Sequence, residues 1–100
     1  MTIELSKALF QQNLNTRFQF RDEAGEHVLE LVEVSGESNS PKFEYFSLVF
    51  RGESNKVLAQ RTYQAQHDAM GAFDLFITPI GRSEQGTMYQ AVFNRLLDRG

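Results

Sequence analysis

The residues of this chain that could carry chemistry are few, and their spacing decides most of the question. Each of the two histidines has a carboxylate neighbour: His27 follows Glu26, and His67 precedes Asp68. Such pairs could supply ligands to a metal ion. Both fall where the pattern predicts a strand end or a turn, and a solvated imidazole is the ordinary occupant there. Nothing in the spacing adds a third ligand. Ser35, Ser38, Ser40 and Ser54 lie in predicted turns, which serine favours for its local hydrogen bonds, and none sits in a G-x-S-x-G elbow. Asp74 stands out among Phe73, Leu75 and Phe76; a structural ion pair with Arg61, Arg82 or Arg95 is the expected use of it. The glycines at 25, 36, 52, 71, 81 and 86 are single and scattered, so no phosphate loop forms. The expectation is therefore no catalytic residue, no cofactor and no metal.

Composition narrows the classes further. The chain has 100 residues, the size of one domain spanning 1–100, and a net charge of −3. An acidic chain lacks the concentrated basic surface that phosphate binding needs. Arg17-Phe18-Gln19-Phe20-Arg21 interleaves basic and aromatic residues, yet on a strand the two kinds face opposite sides and build no common platform. Nucleic acid is not an expected partner. Asp22, Glu23, Glu26, Glu30, Glu33 and Glu37 run with no base between them, which predicts a solvated acidic face. Cysteine is absent, excluding disulfides and thiolate metal sites. No apolar run reaches membrane-spanning length and the first residues lack a signal-peptide pattern, so a cytoplasmic protein is expected.

These residues must be positioned mainly by strands. A short amphipathic helix is predicted over Ile3–Leu14, capped by Thr2 or Ser6, with Leu5, Leu9 and Leu14 as its stripe. Thr16–Arg21 alternates with Phe18 and Phe20 on one face. His27–Val34 would put a glutamate on each apolar face unless Leu31 and Val32 together oppose one partner residue; a β-bulge there is predicted, leaving Glu30 and Glu33 in solvent. Phe43–Arg51 presents Phe46, Leu48 and Phe50 on one side and Phe43, Tyr45, Ser47 and Val49 on the other. Further strands are predicted around Arg61–Ala65, over Ala72–Ile80 and over Thr87–Leu96. Pro79 cannot donate to a ladder, which places it near a strand end or edge. Gly-Glu-Ser-Asn occurs at 36–39 and again at 52–55, read as shared turn chemistry and not as a duplicated module. About six short strands separated by turns predict a mainly β fold: a small antiparallel β-barrel or sandwich with a short N-terminal helix.

Four stretches are similar to an uncharacterised family of short bacterial domains: Phe46-Ser47-Leu48-Val49-Phe50-Arg51-Gly52, Gln60–His67, Gly71 with Leu75-Phe76-Ile77-Thr78-Pro79-Ile80, and Tyr89-Gln90-Ala91-Val92-Phe93-Asn94-Arg95. Phe10 and Phe18 fit the same pattern. The resemblance implies a setting near phage-tail-like and collar-domain proteins and a structural or interaction role. It supplies no catalytic residue.

The residues point the same way. Phe43, Tyr45 and Val49, Phe76 and Ile80, and Met88 and Val92 offer more apolar surface than one short helix can cover, and an exposed apolar patch marks an interface. The leading expectation is a non-catalytic module that associates with itself or with a larger assembly protein. Phe43, Tyr45, Phe76 and Tyr89 are the expected anchors. The alternatives are a barrel holding a small molecule, or a hydrolytic or metal-dependent enzyme built on His67 and Asp68 or on Asp74.

Overall fold

Alternating apolar side chains give most of this chain one face to bury, and the chain buries it by rolling up. The computed structural model describes residues 5–36 and 43–96, with the side chains of Phe43, Arg95 and Leu96 excepted. A cap at Thr2, most of the Ser35–Lys42 loop and the tail after Leu96 lie outside the described residues. The elements are α1 (Lys7–Gln12), β1 (Arg17–Asp22), β2 (Gly25–Ser35), β3 (Phe43–Gly52), β4 (Arg61–His67), β5 (Gly71–Ser83) and β6 (Gly86–Leu96). The strands form a closed antiparallel barrel in the order β1-β2-β3-β6-β5-β4, with β4 returning to pair with β1. The barrel, and not the sandwich, is the outcome. The chain makes the same three-strand meander twice, β1-β2-β3 and β4-β5-β6, and two seams join the meanders. The β3–β6 ladder runs the full length from Phe43–Leu96 to Gly52–Thr87, whereas the β1–β4 ladder reaches only from Gln19–Gln66 to Arg21–Gln64.

Both middle strands carry an irregularity. In β2 the register slips between Leu31 and Glu33, so Val32 is the extra residue; Glu33 is exposed, Glu30 is partly exposed, and Val34 packs against the core. This is the predicted bulge. In β5 the register slips between Pro79 and Gly81. A closed barrel has no edge on which to place Pro79, and the slip beside it is where a residue without an N–H can sit. Extra residues of this kind bend and twist their strands, which a six-stranded ring needs in order to close. Closure also brings backbones together at Gly86. Its φ is +147°, and a Cβ there would meet Gly52 O and, at 2.7 Å, Arg51 Cγ.

The interior is aromatic. Phe18 and Phe20 of β1, Phe46 and Phe50 of β3, Tyr63 of β4 and Tyr89 of β6 are buried beside Leu29, Leu31, Leu48, Leu75 and Ile77. Phe46 and Phe93 are cross-strand partners whose rings stack 4.7 Å apart and 7° from parallel. An eight-stranded barrel is just wide enough for side chains to fill, and six strands enclose less. These rings take up much of that space.

Each mouth is plugged. Leu58, in the crossover between β3 and β4, is buried at one end, and its N–H donates to Tyr89 Oη at 2.9 Å. α1 covers the other. Ser6 caps the helix, its Oγ accepting from Leu9 N–H at 3.2 Å, and Lys7 N–H donates to Glu44 Oε1. Lys7 Nζ reaches Gly36 O at 2.7 Å. The helix stops at Gln12, two residues short of the predicted Leu14, because Asn13 and Asn15 end it: Asn13 Nδ2 donates back to Leu9 O, and Asn15 takes a left-handed φ of 66°. Its anchor is Phe10, with no exposed surface, while Leu5, Leu9 and Leu14 are partly buried. The Phe10 ring meets Phe93, Phe73, Phe46 and Phe18 at centroid distances of 5.4–6.3 Å. Phe10→Ala is therefore expected to cost about 3–5 kcal/mol of unfolding free energy, read from urea midpoints. A loss below about 1 kcal/mol would show that α1 lies outside the cooperative unit.

Candidate functional site

Barrel closure assigns every strand residue to the inside or the outside, and the outside is not uniform. On β4, β1 and β2 the outward positions are mostly polar: Gln64 and Gln66, Arg17, Gln19 and Arg21, Glu26 and Glu30, with Val28 among them. On the adjacent strands β3, β6 and β5 large apolar side chains stand among the polar ones. Tyr45 is 48% exposed, Phe76 50%, Ile80 51% and Val92 53%. The β3–β6 register sets Ser47 opposite Val92 and Tyr45 opposite Asn94. The β5–β6 register sets Thr78 opposite Gln90, which carries Phe76 to the other flank of Val92. Tyr45, Val92 and Phe76 thus lie across three neighbouring strands, with Ile80 exposed at the β5 irregularity. Val28 and Val57, also half-exposed, lie elsewhere, on β2 and in the crossover.

Two of the expected anchors, Tyr45 and Phe76, are on this face. The side chain of Phe43 lies outside the described residues. Tyr89 is a correction. It is 1% exposed, inside the barrel, with its hydroxyl holding the crossover. β6 offers two alternating sets, and the set containing Gln90 and Asn94 takes the solvent side because burying unpaired amides is costly. That forces Tyr89, Ala91 and Phe93 inward. Val92, on the outward set, is half exposed and was not among the four expected anchors.

The polar residues singled out in the sequence are used in structure. His67 is 6% exposed and not solvated. It shares the inward phase of β4 with Tyr63 and Ala65, so it enters the barrel mouth, its ring 4.4 Å from that of Phe18. Its Nδ1 accepts from Ala69 N–H at 2.9 Å, which leaves Nε2–H to donate to Thr16 Oγ1 at 2.8 Å. Thr16 Oγ1 in turn donates to Asn13 O at 2.6 Å. The imidazole has no free acceptor nitrogen and the hydroxyl proton is already placed, so this pair is a fastening between β4 and the α1–β1 turn. Asp68, next to it, is exposed.

His27 is likewise partnered. Its Nε2 lies 3.1 Å from Asp22 Oδ1, and its Nδ1 accepts from Lys56 Nζ at 3.1 Å. Asp22 Oδ1 also accepts Ala24 N–H at 2.8 Å, which sets the β1–β2 hairpin turn. Asp74 is exposed and faces Gln64 across the β4–β5 ladder. Of its expected partners, Arg61 binds Glu23 through both terminal nitrogens and Arg82 donates to Ser54 O, while the Arg95 side chain is outside the described residues. The acidic run is less naked than expected, because neighbouring strands bring bases to it: Arg21 to Glu26, Arg51 to Glu30, Arg61 to Glu23. Among the described residues no group of three or more histidines and carboxylates is placed to hold a metal ion. No described helix is long and apolar enough to cross a membrane.

The family model described as "Domain of unknown function (DUF6916)" matches residues 5–93. The chain belongs to this family. No curated protein and no solved structure matches the chain significantly. The matched stretch covers the helix, the first five strands and β6 as far as Phe93, and so includes every residue of the apolar outer face described above except Asn94.

The electrostatics of the β1–β2 turn can be tested. The hydrogen bond from His27, with the Ala24 N–H and the charge of Arg61, holds the Asp22 carboxyl below its ordinary value of 3.8; the Arg61 guanidinium does the same for Glu23, ordinarily 4.5. Groups lowered in the folded state stabilise it above the carboxylate range and cease to do so as pH falls through that range. The urea midpoint should therefore drop as pH is taken from about 5 to about 3, and Asp22→Asn should flatten part of that drop. An unchanged slope in the variant would show that the His27–Asp22 bond contributes nothing.

Proposed function

We propose that this domain is a non-catalytic interaction module that docks onto protein through the outer face of β3, β6 and β5. The observation that carries the reading is the row of Tyr45, Val92, Phe76 and Ile80, each about half exposed, on three adjacent strands. Single apolar residues such as Val28 are normal on a surface; several gathered on adjacent strands are the mark of an interface. The partnered histidines and the filled interior support a role without catalysis or an enclosed ligand. Ring closure also restricts how docking can occur. With every strand paired on both sides, a partner cannot add a strand to an edge, so side chains must supply the contact. Incorporation into a phage-tail-like assembly, the setting that the sequence resemblance implies, would cover such a face.

Photo-crosslinking in the native host tests this. A benzophenone amino acid replacing Phe76 should give a discrete protein adduct, identified by mass spectrometry, that the same group at Gln64 on the polar face does not give. Equal adducts from both positions, or none from position 76, would overturn the proposal.

A further inference from the structure

His67 closes a corner of the barrel that the sheet leaves loose. The β1–β4 ladder ends at Gln19–Gln66, one residue before it, so on the β1 side this end of β4 is tied by the bond from His67 Nε2–H to Thr16 Oγ1. On the other side His67 and Gly71 form the last rung of the β4–β5 ladder and enclose the turn Asp68-Ala69-Met70. The imidazole closes that turn too, because its Nδ1 accepts the Ala69 N–H two residues on. Asp68 and Ala69 are exposed, whereas Met70 is 1% exposed and belongs to the core cluster. The turn is thus a flap with an apolar inner end, and one ring nitrogen holds it down.

That nitrogen is the one a second proton must take. Nε2 already carries a hydrogen, so protonation sets one N–H against another at 2.9 Å and the Ala69 bond is lost. The surroundings offer the charged ring little in exchange. It is buried, and both of its hydrogen-bond partners, Thr16 and Ala69, are neutral. The charged groups beside it are Arg17 of β1, Glu30 of β2 and Asp68 of the turn, which line the same groove. Glu30 is taken by Arg51, and Arg17 and Asp68 bear opposite charges. From α1, Lys7 is held at Gly36 O. His27 differs, since a protonated ring there keeps the Asp22 carboxylate at 3.1 Å.

We propose that His67 is an acid-released latch: when its ring takes the second proton, the Asp68–Met70 turn swings away from the barrel and Met70 leaves the core. Above the range in which imidazole titrates the turn is closed. Below it the open form is favoured, because only there does the ring carry both protons without opposing the Ala69 N–H. The turn lies beyond the last rung of its ladder, so it opens without breaking another. The open form presents an apolar side chain at the mouth that the closed form hides.

Methionine oxidation reads the opening, because peroxide must reach the thioether sulfur and that sulfur takes no proton over this range. Oxidation of Met70 by dilute hydrogen peroxide, followed by peptide mass spectrometry, should run about tenfold faster at about pH 5 than at about pH 7.5, within the roughly thirtyfold that a freely titrating imidazole could supply. Met88, partly exposed on β6, should change by less than about twofold and serves as the internal control. His67→Asn keeps an acceptor for the Ala69 N–H, in the manner of an Asx turn, and cannot titrate. Its Met70 rate should be the same at both pH values. Circular dichroism shows that each chain is folded at each pH. In the native chain the rise should also share its midpoint with the His67 ring signals in proton NMR, and that comparison decides the matter if the variant does not fold. A native Met70 rate that stays level, an equal rise in the folded variant, or a midpoint set apart from that of His67 would each overturn the proposal.

Discussion

Closing a six-stranded sheet into a ring is the constraint on which everything else in this molecule depends. So narrow a ring encloses little volume, and that volume must be filled from the strands themselves with rigid side chains that bring no unpaired polar atom. Phe18, Phe20, Phe46 and Phe50 meet that demand. Where a tyrosine takes the place of a phenylalanine, its hydroxyl is put to work: Tyr89 accepts from the crossover at Leu58, and Tyr63 donates to Ala59 O at 2.7 Å. Burial pushes the Tyr63 phenol up. The two plugs follow from the same constraint, since a ring has open ends and an aromatic core cannot face water through them.

Closure also explains where polarity resides. Once the interior is taken by rings, ionisable side chains are driven to the outside or to a mouth, and there both histidines are tied to neighbours. His67 fastens a strand to the helix turn, and His27 fastens a hairpin to the crossover through Asp22 and Lys56. Residues with catalytic potential are thus spent on holding loops against the barrel ends. On the outer wall the charged pairs gather on β1 and β2, and the half-exposed Tyr45, Phe76, Ile80 and Val92 on β3, β5 and β6 are without an evident structural use.

Much of this was readable before any coordinates. Period-two alternation placed all six strands, because one face of each had to be buried. The Val32 bulge was legible because two glutamates would otherwise have faced the core. Ring closure was not legible: pairing between β1 and β4, or between β3 and β6, joins residues far apart in the chain, and local pattern is silent about such partners. The helix end was placed too late because Leu14 continues the apolar stripe between Asn13 and Asn15, which turn the chain. Tyr89 was placed on the wrong side although the signal was present, since Gln90 and Asn94 mark the wet face of β6. His67 was read as solvated because its position at a strand end was visible, while its inward phase, two residues after Ala65, was given no weight.

The unequal seams determine how the ring comes together. Each seam joins strands separated by a similar length of chain, so each costs a similar loop-closure entropy. The long β3–β6 ladder, with its stacked Phe46 and Phe93, returns far more for that cost than the short β1–β4 ladder does. The two meanders should therefore zip first along β3 and β6 into an open, curved sheet, with the join at Gln19, Phe20 and Arg21 shutting last. In the finished molecule that same short join is where the ring should open most readily, across the barrel from the β3–β6 seam.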